Sequence, residues 1–241
     1  MSKVKAERLS RLLTRLGYVE TRREADYFLD DHRVEIDGEP VFRSDVKATP
    51  AQVTIDGEPM DSDRLVILLN KPAGYVCAHD DPGLRVYDLL PERWRARVPK
   101  IITVGRLDKD TTGLLLLTDD GALSHRLTHP KYHVPKIYEV VVDSALSGRE
   151  KEIFAAGKLM LDSETTPLLP AEFEATGERA GRLTLHEGRY HQVKRMFGAV
   201  GNRVTQLHRA QQGRLTLGDL PEGKWRLLGA DEEELLFPPA T

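Results

Sequence analysis

The chain has 241 residues, 40% of them hydrophobic and 30% charged, which is enough apolar material for a substantial folded core. A formal net charge of −3 excludes a uniformly basic nucleic-acid-binding protein, but it does not exclude local basic patches. The single cysteine, Cys77, excludes an intramolecular disulfide and favours a reducing compartment. Because neither a signal peptide nor a run of about 20 apolar residues is recognisable, we expect a soluble, cytoplasmic protein without a membrane partner.

Two helices and a small sheet are predicted for the first sixty residues. Residues 7–16 carry leucines at helical spacing, and Thr21 with Glu24 has the pattern of a capping box, which predicts a second helix beginning at Thr21. The segments RVEIDG (33–38) and QVTIDGEPM (52–60) alternate in polarity and turn at Asp-Gly. We interpret them as neighbouring strands of one sheet.

The start of the chain is basic, because residues 1–23 contain seven lysines and arginines against two carboxylates. On charge alone, a solvated helix face is the simpler interpretation. However, the segment RLSRLLTRLGYVETRREADYFLDDHRVEIDGEPV (8–41) resembles the S4 RNA-binding domain. The resemblance implies that the second helix and its adjoining loop lie against structured RNA. The arginines expected to contact RNA are Arg8, Arg11, Arg22 and Arg23.

A polar stretch at 57–63 precedes the apolar strand at 65–70, so we predict an S4-like domain at 1–61 and a second domain at 62–241. In the second domain we expect strands at 65–70, 101–104, 114–117, 137–142 and 182–186, and helices at about 121–129, 149–157 and 190–200. Short turns connect several of these strands, which favours an α+β fold on a mixed, largely antiparallel sheet. We interpret the acidic end, 219–234, as a solvated rim.

The segment ITVGRLDKDTTGLLLLTDDG (102–121) is the most informative part of the chain. Its loop places Asp108 and Asp110 between two predicted strands, where a carboxylate can be both held and exposed. Arg106 lies close enough in sequence to favour an ionised carboxylate, which a nucleophile or a base requires. The pattern alone leaves three interpretations open.

In the first interpretation, these polar side chains only satisfy hydrogen bonds of the turn. The second is a metal site: Asp108, Asp110 and Thr112 match the D-x-D-x-T opening of haloacid-dehalogenase-type phosphohydrolases. That motif should follow a long apolar strand directly, yet Gly105-Arg106 intervenes here. A calcium loop would require glutamate at its twelfth position, which is Asp119 in this chain.

The third interpretation rests on four motifs in order. They are NKPAG (70–74), GRLDKDTTGLL (105–115), KIYEV (136–140) and EGRYHQVKRMF (187–197), the last followed by GN (201–202) and LHR (207–209). Together they resemble the pseudouridine synthases, in the form of the family of ribosomal small subunit pseudouridine synthase A. The resemblance implies an isomerase that converts a specific uridine of ribosomal RNA to pseudouridine.

The resemblance also implies roles for individual residues. Asp108 would be the carboxylate that acts on a uridine turned out of its stack, and Tyr138 would stack on the uracil. Lys194 would form an ion pair with Asp108, although the adjacent Arg195 is an alternative partner. Further RNA contacts are expected from Arg106, Lys136, Arg189, His191, Gln192, Arg195 and Arg209.

The predicted reaction needs no cofactor, and no cluster with the spacing of metal ligands is evident in the sequence. The expected partner is ribosomal RNA or a small-subunit assembly intermediate, bound by a monomer without a small-molecule cofactor. Two alternatives stay open within the resemblance. One is a large-subunit ribosomal RNA pseudouridine synthase of the same family, and the other is a non-catalytic assembly factor that binds ribosomal RNA.

Overall fold

A computed structural model describes residues 5–237 and divides them into two compact units. The first unit contains the residues up to Leu65 together with Leu90–Ile102 and Thr118–Asp120. The second unit contains Val66–Leu89, Thr103–Leu117 and the residues from Gly121 onward. The first unit therefore includes two segments that lie beyond the boundary predicted at residues 61 and 62. The assignment of an S4-like domain to residues 1–61 stays a prediction.

The first unit is built from two helices and two small sheets. The helices are α1 (Leu9–Arg15) and α2 (Glu24–Asp31), and the strands are β1 (Glu7–Arg8), β2 (Val34–Ile36), β3 (Glu39–Pro40), β4 (Lys47–Ala48), β5 (Val53–Ile55) and β6 (Glu58–Pro59). Strand β1 pairs with β4, and the other strands form a sheet in the order β3-β2-β5-β6. The leucines of the first helix are fully buried, as their spacing predicts.

The two Asp-Gly turns form hairpins, and the strands that precede them pair with each other. Asp37 and Gly38 have φ angles of 53° and 85°, and Asp56 and Gly57 have 54° and 86°. Positive φ at both central residues is the requirement of a type I′ turn, which matches the twist of the flanking strands. The prediction of neighbouring strands in one sheet is therefore confirmed.

The predicted start of the second helix is wrong by three residues. Helix α2 begins at Glu24, and residues 21–23 form a turn before it. The Thr21 hydroxyl donates to one Glu24 carboxylate oxygen at 2.8 Å, and the Glu20 amide donates to the other at 3.0 Å. The carboxylate expected to close a capping box thus stabilises the preceding turn instead.

Leu90–Ile102 and Thr118–Asp120 are tied to each other by a buried ion pair within the first unit. The Arg97 guanidinium lies 2.7 Å from a carboxylate oxygen of Asp119, with side chains 1% and 3% exposed. The other Asp119 oxygen accepts from the Leu65 amide at 2.8 Å, and Arg97 also donates to the Ser62 and Asp63 carbonyls. These contacts satisfy buried polar groups that would otherwise destabilise the fold.

The second unit is built on one sheet. Its strands are β7 (Val66–Lys71), β8 (Ile102–Thr103), β9 (Thr112–Thr118), β10 (Lys136–Val142), β11 (Glu172–Gly177), β12 (Ala180–Leu185), β13 (Val204–Gln212), β14 (Leu215–Thr216) and β15 (Trp225–Leu227). The order is β11-β12-β10-β13-β9-β7-β15, with β14 beside β13 and β8 beside β9. Strand β13 runs parallel to β9, whereas its pairing with β10 and that of β10 with β12 are antiparallel. The predicted mixed, largely antiparallel sheet is confirmed.

Four helices accompany this sheet: α3 (Gly121–Thr128), α4 (Glu150–Ala155), α5 (Gln192–Ala199) and α6 (Ala230–Glu234). One apolar core includes Leu68, Leu114, Leu116 and Leu236. Every residue of the acidic end, 219–234, is exposed or partly exposed, as the interpretation as a solvated rim predicts, and β15 within it pairs with β7. No helix within residues 5–237 has the length and hydrophobicity that crossing a bilayer requires.

Candidate active site

The loop between β8 and β9 carries Asp108, and a buried lysine holds that loop in place. Lys71, which is 0% exposed, donates from Nζ to the carbonyl of Thr111 at 2.8 Å and to that of Lys109 at 3.2 Å. The Gly74 amide donates to the same Lys109 carbonyl at 2.8 Å. The NKPAG segment thus fixes the backbone on the C-terminal side of Asp108, because a buried charge needs these carbonyls as partners.

Gly113 allows the strand after this loop to approach β13 closely. A Cβ at Gly113 would lie 2.4 Å from the Arg209 carbonyl oxygen, and the residue has a φ of +102°. Only glycine fits both the conformation and the space. The glycine of the motif therefore sets the distance between the Asp108 loop and the strand that carries Arg209.

Asp108 lies in a pocket of the second unit, and its side chain is 24% exposed. The Lys194 ammonium is 3.0 Å from one of its carboxylate oxygens, and His191 Nε2 is 3.3 Å from the other. Both partners come from the start of α5, where His191 has a left-handed φ of 47°. The carboxylate is therefore held by a cation and still reaches solvent, as a group that acts on a substrate must.

Asp108 forms its ion pair with Lys194, and Arg195, the alternative partner, lies elsewhere. Lys194 also lies 2.6 Å from Asp110, whose side chain is 72% exposed. Burial lowers the pKa of Lys194, but the hydrogen bonds and negative charges of Asp110 and Asp108 outweigh burial, so its pKa is raised. The lysine is thus a permanent cation beside the carboxylate. Arg195 pairs with Glu164 at 3.0 Å.

The wall of the pocket is formed by side chains of the sheet. Tyr138 on β10 is 8% exposed and lies opposite Arg209 on β13. Charged and polar side chains make up much of the lining around Asp108, and the aliphatic members among them are Val104, Leu107, Leu185, Val193 and Leu207. An aromatic ring among aliphatic side chains is suited to a flat, uncharged ring such as a nucleobase.

Lys136 and Arg209 lie at the same wall and make no ion pair within residues 5–237. The Lys136 ammonium donates to the Val134 carbonyl at 3.0 Å, and Arg209 Nε donates to the Leu114 carbonyl at 2.7 Å. Burial, together with the positive charge of Arg209, lowers the pKa of Lys136 to about 8. Two cations therefore line the pocket without a direct ion-pair partner among the described residues.

Three residues expected to contact RNA are engaged within the protein. Arg189 forms ion pairs with both Glu187 and Glu164 at 3.1 Å. It also donates to the carbonyls of Thr166 and Pro167. Arg195 binds Glu164 and the Asp162 carbonyl. Gln192 is 4% exposed and donates to Glu187 at 2.9 Å. Their contacts hold residues 162–167 to the start of α5, and contact with RNA stays a prediction for them.

The remaining predicted RNA contacts are more open. Arg106 is exposed beside Asp108, and in the first unit Arg8, Arg22 and Arg23 are exposed. Arg11 pairs with Glu7 at 2.9 Å, although its side chain remains 61% exposed. Exposed guanidinium groups can exchange solvent or a weak surface ion pair for phosphate.

Sequence reasoning missed Lys71, Glu164 and Tyr190 as individual residues. The NKPAG motif was a signal for Lys71, but its spacing does not reveal which carbonyls the lysine reaches. No sequence pattern indicates that Glu164 joins two arginines. Tyr190 is 66% exposed and stacks on His191 with ring centroids 3.8 Å apart, and no sequence pattern indicates this contact.

The competing interpretations of the Asp108 loop find less support. Lys194 occupies a carboxylate oxygen of both Asp108 and Asp110, and both oxygens of Asp119 are engaged in the first unit. Within residues 5–237 no group of three His, Cys, Asp or Glu side chains is arranged to hold a metal ion. Burial raises the pKa of the Cys77 thiol, which disfavours the thiolate that a nucleophile requires.

Comparison with known proteins agrees with this site. Residues 65–199 match the family model described as RNA pseudouridylate synthase. A Yersinia pestis protein named ribosomal small subunit pseudouridine synthase A is 45% identical to this chain, over 83% of this chain and 86% of that protein. A Pseudomonas aeruginosa protein of the same name is 40% identical, over 93% of this chain and 98% of that protein. A crystal structure of a pseudouridylate synthase superposes with a TM-score of 0.67 at 37% identity, covering 95% of this chain and 99% of that one.

A lysine-paired aspartate in a pocket on a mixed sheet is an arrangement suited to the active site of an enzyme that uses a carboxylate. The chain belongs to the RNA pseudouridylate synthase family, because the family model matches more than half of it and relatives align over most of its length. It is therefore an isomerase, and the fold and activity that the four motifs predicted are confirmed.

Proposed function

We propose that this protein isomerises a specific uridine of small-subunit ribosomal RNA to pseudouridine, with Asp108 as the essential carboxylate. The observation that carries the proposal is the Asp108–Lys194 ion pair at 3.0 Å, inside a pocket lined by Tyr138 and aliphatic side chains. The choice of RNA rests on relatives that are named for the small ribosomal subunit and align over more than four fifths of this chain.

The reaction breaks the bond between N1 of uracil and C1′ of ribose and forms a bond between C5 and C1′. A proton leaves C5 and a proton is gained at N1, so no atom is added and nothing is oxidised. Nothing in this balance requires a cofactor. A uridine stacked in RNA cannot reach a carboxylate in a pocket, so the nucleotide must first be turned out of its stack.

Within this reaction the residues take separate roles. Asp108 acts at the ribose or the base of the extruded nucleotide, and Lys194 keeps its carboxylate ionised and oriented. Tyr138 stacks on the uracil from the β10 side of the pocket. Arg106, which is exposed beside Asp108, contacts the RNA backbone near the vacated position.

The rest of the RNA is bound elsewhere on the chain. Residues 1–61 act as an S4-like RNA-binding domain through the exposed Arg8, Arg22 and Arg23. We expect the protein to work as a cytoplasmic monomer on ribosomal RNA or on a small-subunit assembly intermediate. Because phosphate contacts supply much of the affinity, RNA binding should weaken as the salt concentration rises.

The proposal is tested with ribosomal RNA labelled with tritium at C5 of uridine. Wild-type protein should release tritium and leave pseudouridine at one position of small-subunit RNA, whereas Asp108→Asn should bind the RNA equally well and release none. Asn is nearly the same size as Asp, so the change removes the charge with little alteration of packing. Full turnover by Asp108→Asn would refute the catalytic assignment.

Two other results would redirect the proposal. Product found only in large-subunit RNA would refute the choice of substrate. RNA binding by wild-type protein without any tritium release from either ribosomal RNA would indicate an assembly factor and not an enzyme.

A further inference from the structure

Two cations line the wall of the active-site pocket, and neither forms an ion pair within residues 5–237. Lys136 comes from β10 and Arg209 from the adjacent β13, and both line the pocket. Burial, together with the positive charge of Arg209, lowers the pKa of Lys136. Like charges buried side by side are unfavourable unless a negative charge joins them.

Two buried polar atoms at the same pocket also lack hydrogen-bond partners. They are Nη2 of Arg209, whose residue is 2% exposed, and the hydroxyl oxygen of Thr111, whose residue is 1% exposed. Arg209 Nε donates to the Leu114 carbonyl, and the Thr111 amide and carbonyl are hydrogen-bonded to Asp108 and Lys71, so the guanidinium and the Thr111 backbone are held in place. Buried donors without partners are costly, and a ligand that accepts from them would remove that cost.

We infer that Lys136 and Arg209, with the Thr111 hydroxyl, form a binding site for the negative charge that the uracil ring carries once its bond to C1′ is broken. The inference rests on the proposed function, because it assigns a role to these residues in the same pocket. It makes Lys136 and Arg209 groups that act on the reacting base, and not only contacts to the RNA backbone.

The charge arises from the reaction itself. When the bond between N1 and C1′ breaks, its electron pair stays on the uracil, where it is shared between N1 and the ring carbonyl oxygens. The anion persists until its electron pair forms the bond between C5 and C1′, after which the proton lost from C5 is balanced by the proton gained at N1. Donors already fixed at this position need no rearrangement during the reaction, which is how preorganised sites stabilise developing charge.

The position of the cation pair favours this charge over that of a phosphate. Arg209 and Thr111 are almost completely buried, and the neighbouring lining includes Leu185 and Leu207. A phosphodiester is part of the RNA chain and stays at the mouth of a pocket, where the exposed Arg106 is available. A base that has been turned out of its stack reaches the interior.

The test compares Lys136→Met with wild-type protein on C5-tritiated ribosomal RNA of both subunits, measuring kcat at saturating RNA and Kd by filter binding. A charge that appears only after bond cleavage is absent from the bound ground state. We therefore expect kcat to fall about 10²-fold, as for other donors to a developing anion, while Kd stays near the wild-type value. Lys136→Arg, which keeps the cation, should recover most of the rate.

Lys151→Met is the matched control, because Lys151 is exposed on α4 and the same charge is lost. It should leave kcat and Kd unchanged, and thermal melting should find all three variants folded. Unchanged kcat in Lys136→Met would overturn the inference. A rise in Kd by the same factor as the fall in kcat would also overturn it, because it would indicate that the cations bind phosphate. If wild-type protein released no tritium from either RNA, the proposed function would fail first.

Discussion

The ion pair between Lys194 and Asp108 allows the most direct test of the site. Lys194→Met removes the ammonium that lies 3.0 Å from Asp108 and 2.6 Å from Asp110, and it keeps most of the length and apolar character of the side chain. We expect turnover to fall while RNA affinity changes little, because the ammonium is engaged by these two carboxylates.

The size of the effect follows from the geometry. Two unit charges about 4 Å apart attract each other by about 4 kcal/mol at an effective dielectric constant of about 20. Lys194 and Asp108 are each about a quarter exposed, and Asp110 competes for the same ammonium, so the net loss is smaller. One charge-assisted hydrogen bond, about 1.5–3 kcal/mol, is the appropriate scale. At about 1.4 kcal/mol per factor of ten, kcat should fall about ten- to a hundredfold.

The comparison that sharpens this test is the neighbouring Arg195→Met. It makes the same change in charge, but Arg195 pairs with Glu164, so it should lower the melting temperature and leave the turnover of folded protein near the wild-type value. Single-turnover tritium release at saturating RNA measures both variants, with circular dichroism to confirm folding. A larger loss of turnover in Arg195→Met than in Lys194→Met would refute the assignment.

Two further predictions concern stability. Arg97→Met leaves the buried carboxylate of Asp119 without its cation and should lower the free energy of unfolding by about 3–5 kcal/mol in urea denaturation. Arg93→Met breaks the ion pair with Asp61, in which the arginine side chain is 42% exposed, and should lower the same free energy by no more than about 1 kcal/mol. Equal losses would contradict the burial argument. Burial and the nearby Arg209 lower the pKa of Lys136 from 10.5 to about 8. Between about pH 8 and pH 10.5, the unfolded chain therefore binds more protons than the folded protein. Across this interval, the free energy of unfolding should rise with pH more steeply in wild-type protein than in Lys136→Met. Identical dependence of the unfolding free energy on pH in the two proteins would show that the lysine titrates normally.

Local chemistry made several features of the fold predictable. The buried leucines of α1 follow from helical spacing, and the paired hairpins follow from two Asp-Gly turns that require positive φ at both central residues. The start of α2 was not predictable from its capping pattern, because Glu24 can satisfy backbone amides of a turn as well as those of a helix. The buried Leu236 was hidden by its acidic neighbours, since charge density does not reveal which side chain faces a core.

For the active site, the sequence by itself determined which residues are available: the GRLD loop with Asp108, the strand with Tyr138, and the segment with Lys194. Only the tertiary structure decided how they are paired. Lys194 and Arg195 are adjacent and both positively charged, but successive helix positions point in different directions, so one reaches Asp108 and the other Glu164. Likewise, the proximity of Lys136 and Arg209 depends on the pairing of β10 with β13, because strand register brings together residues that are distant along the chain.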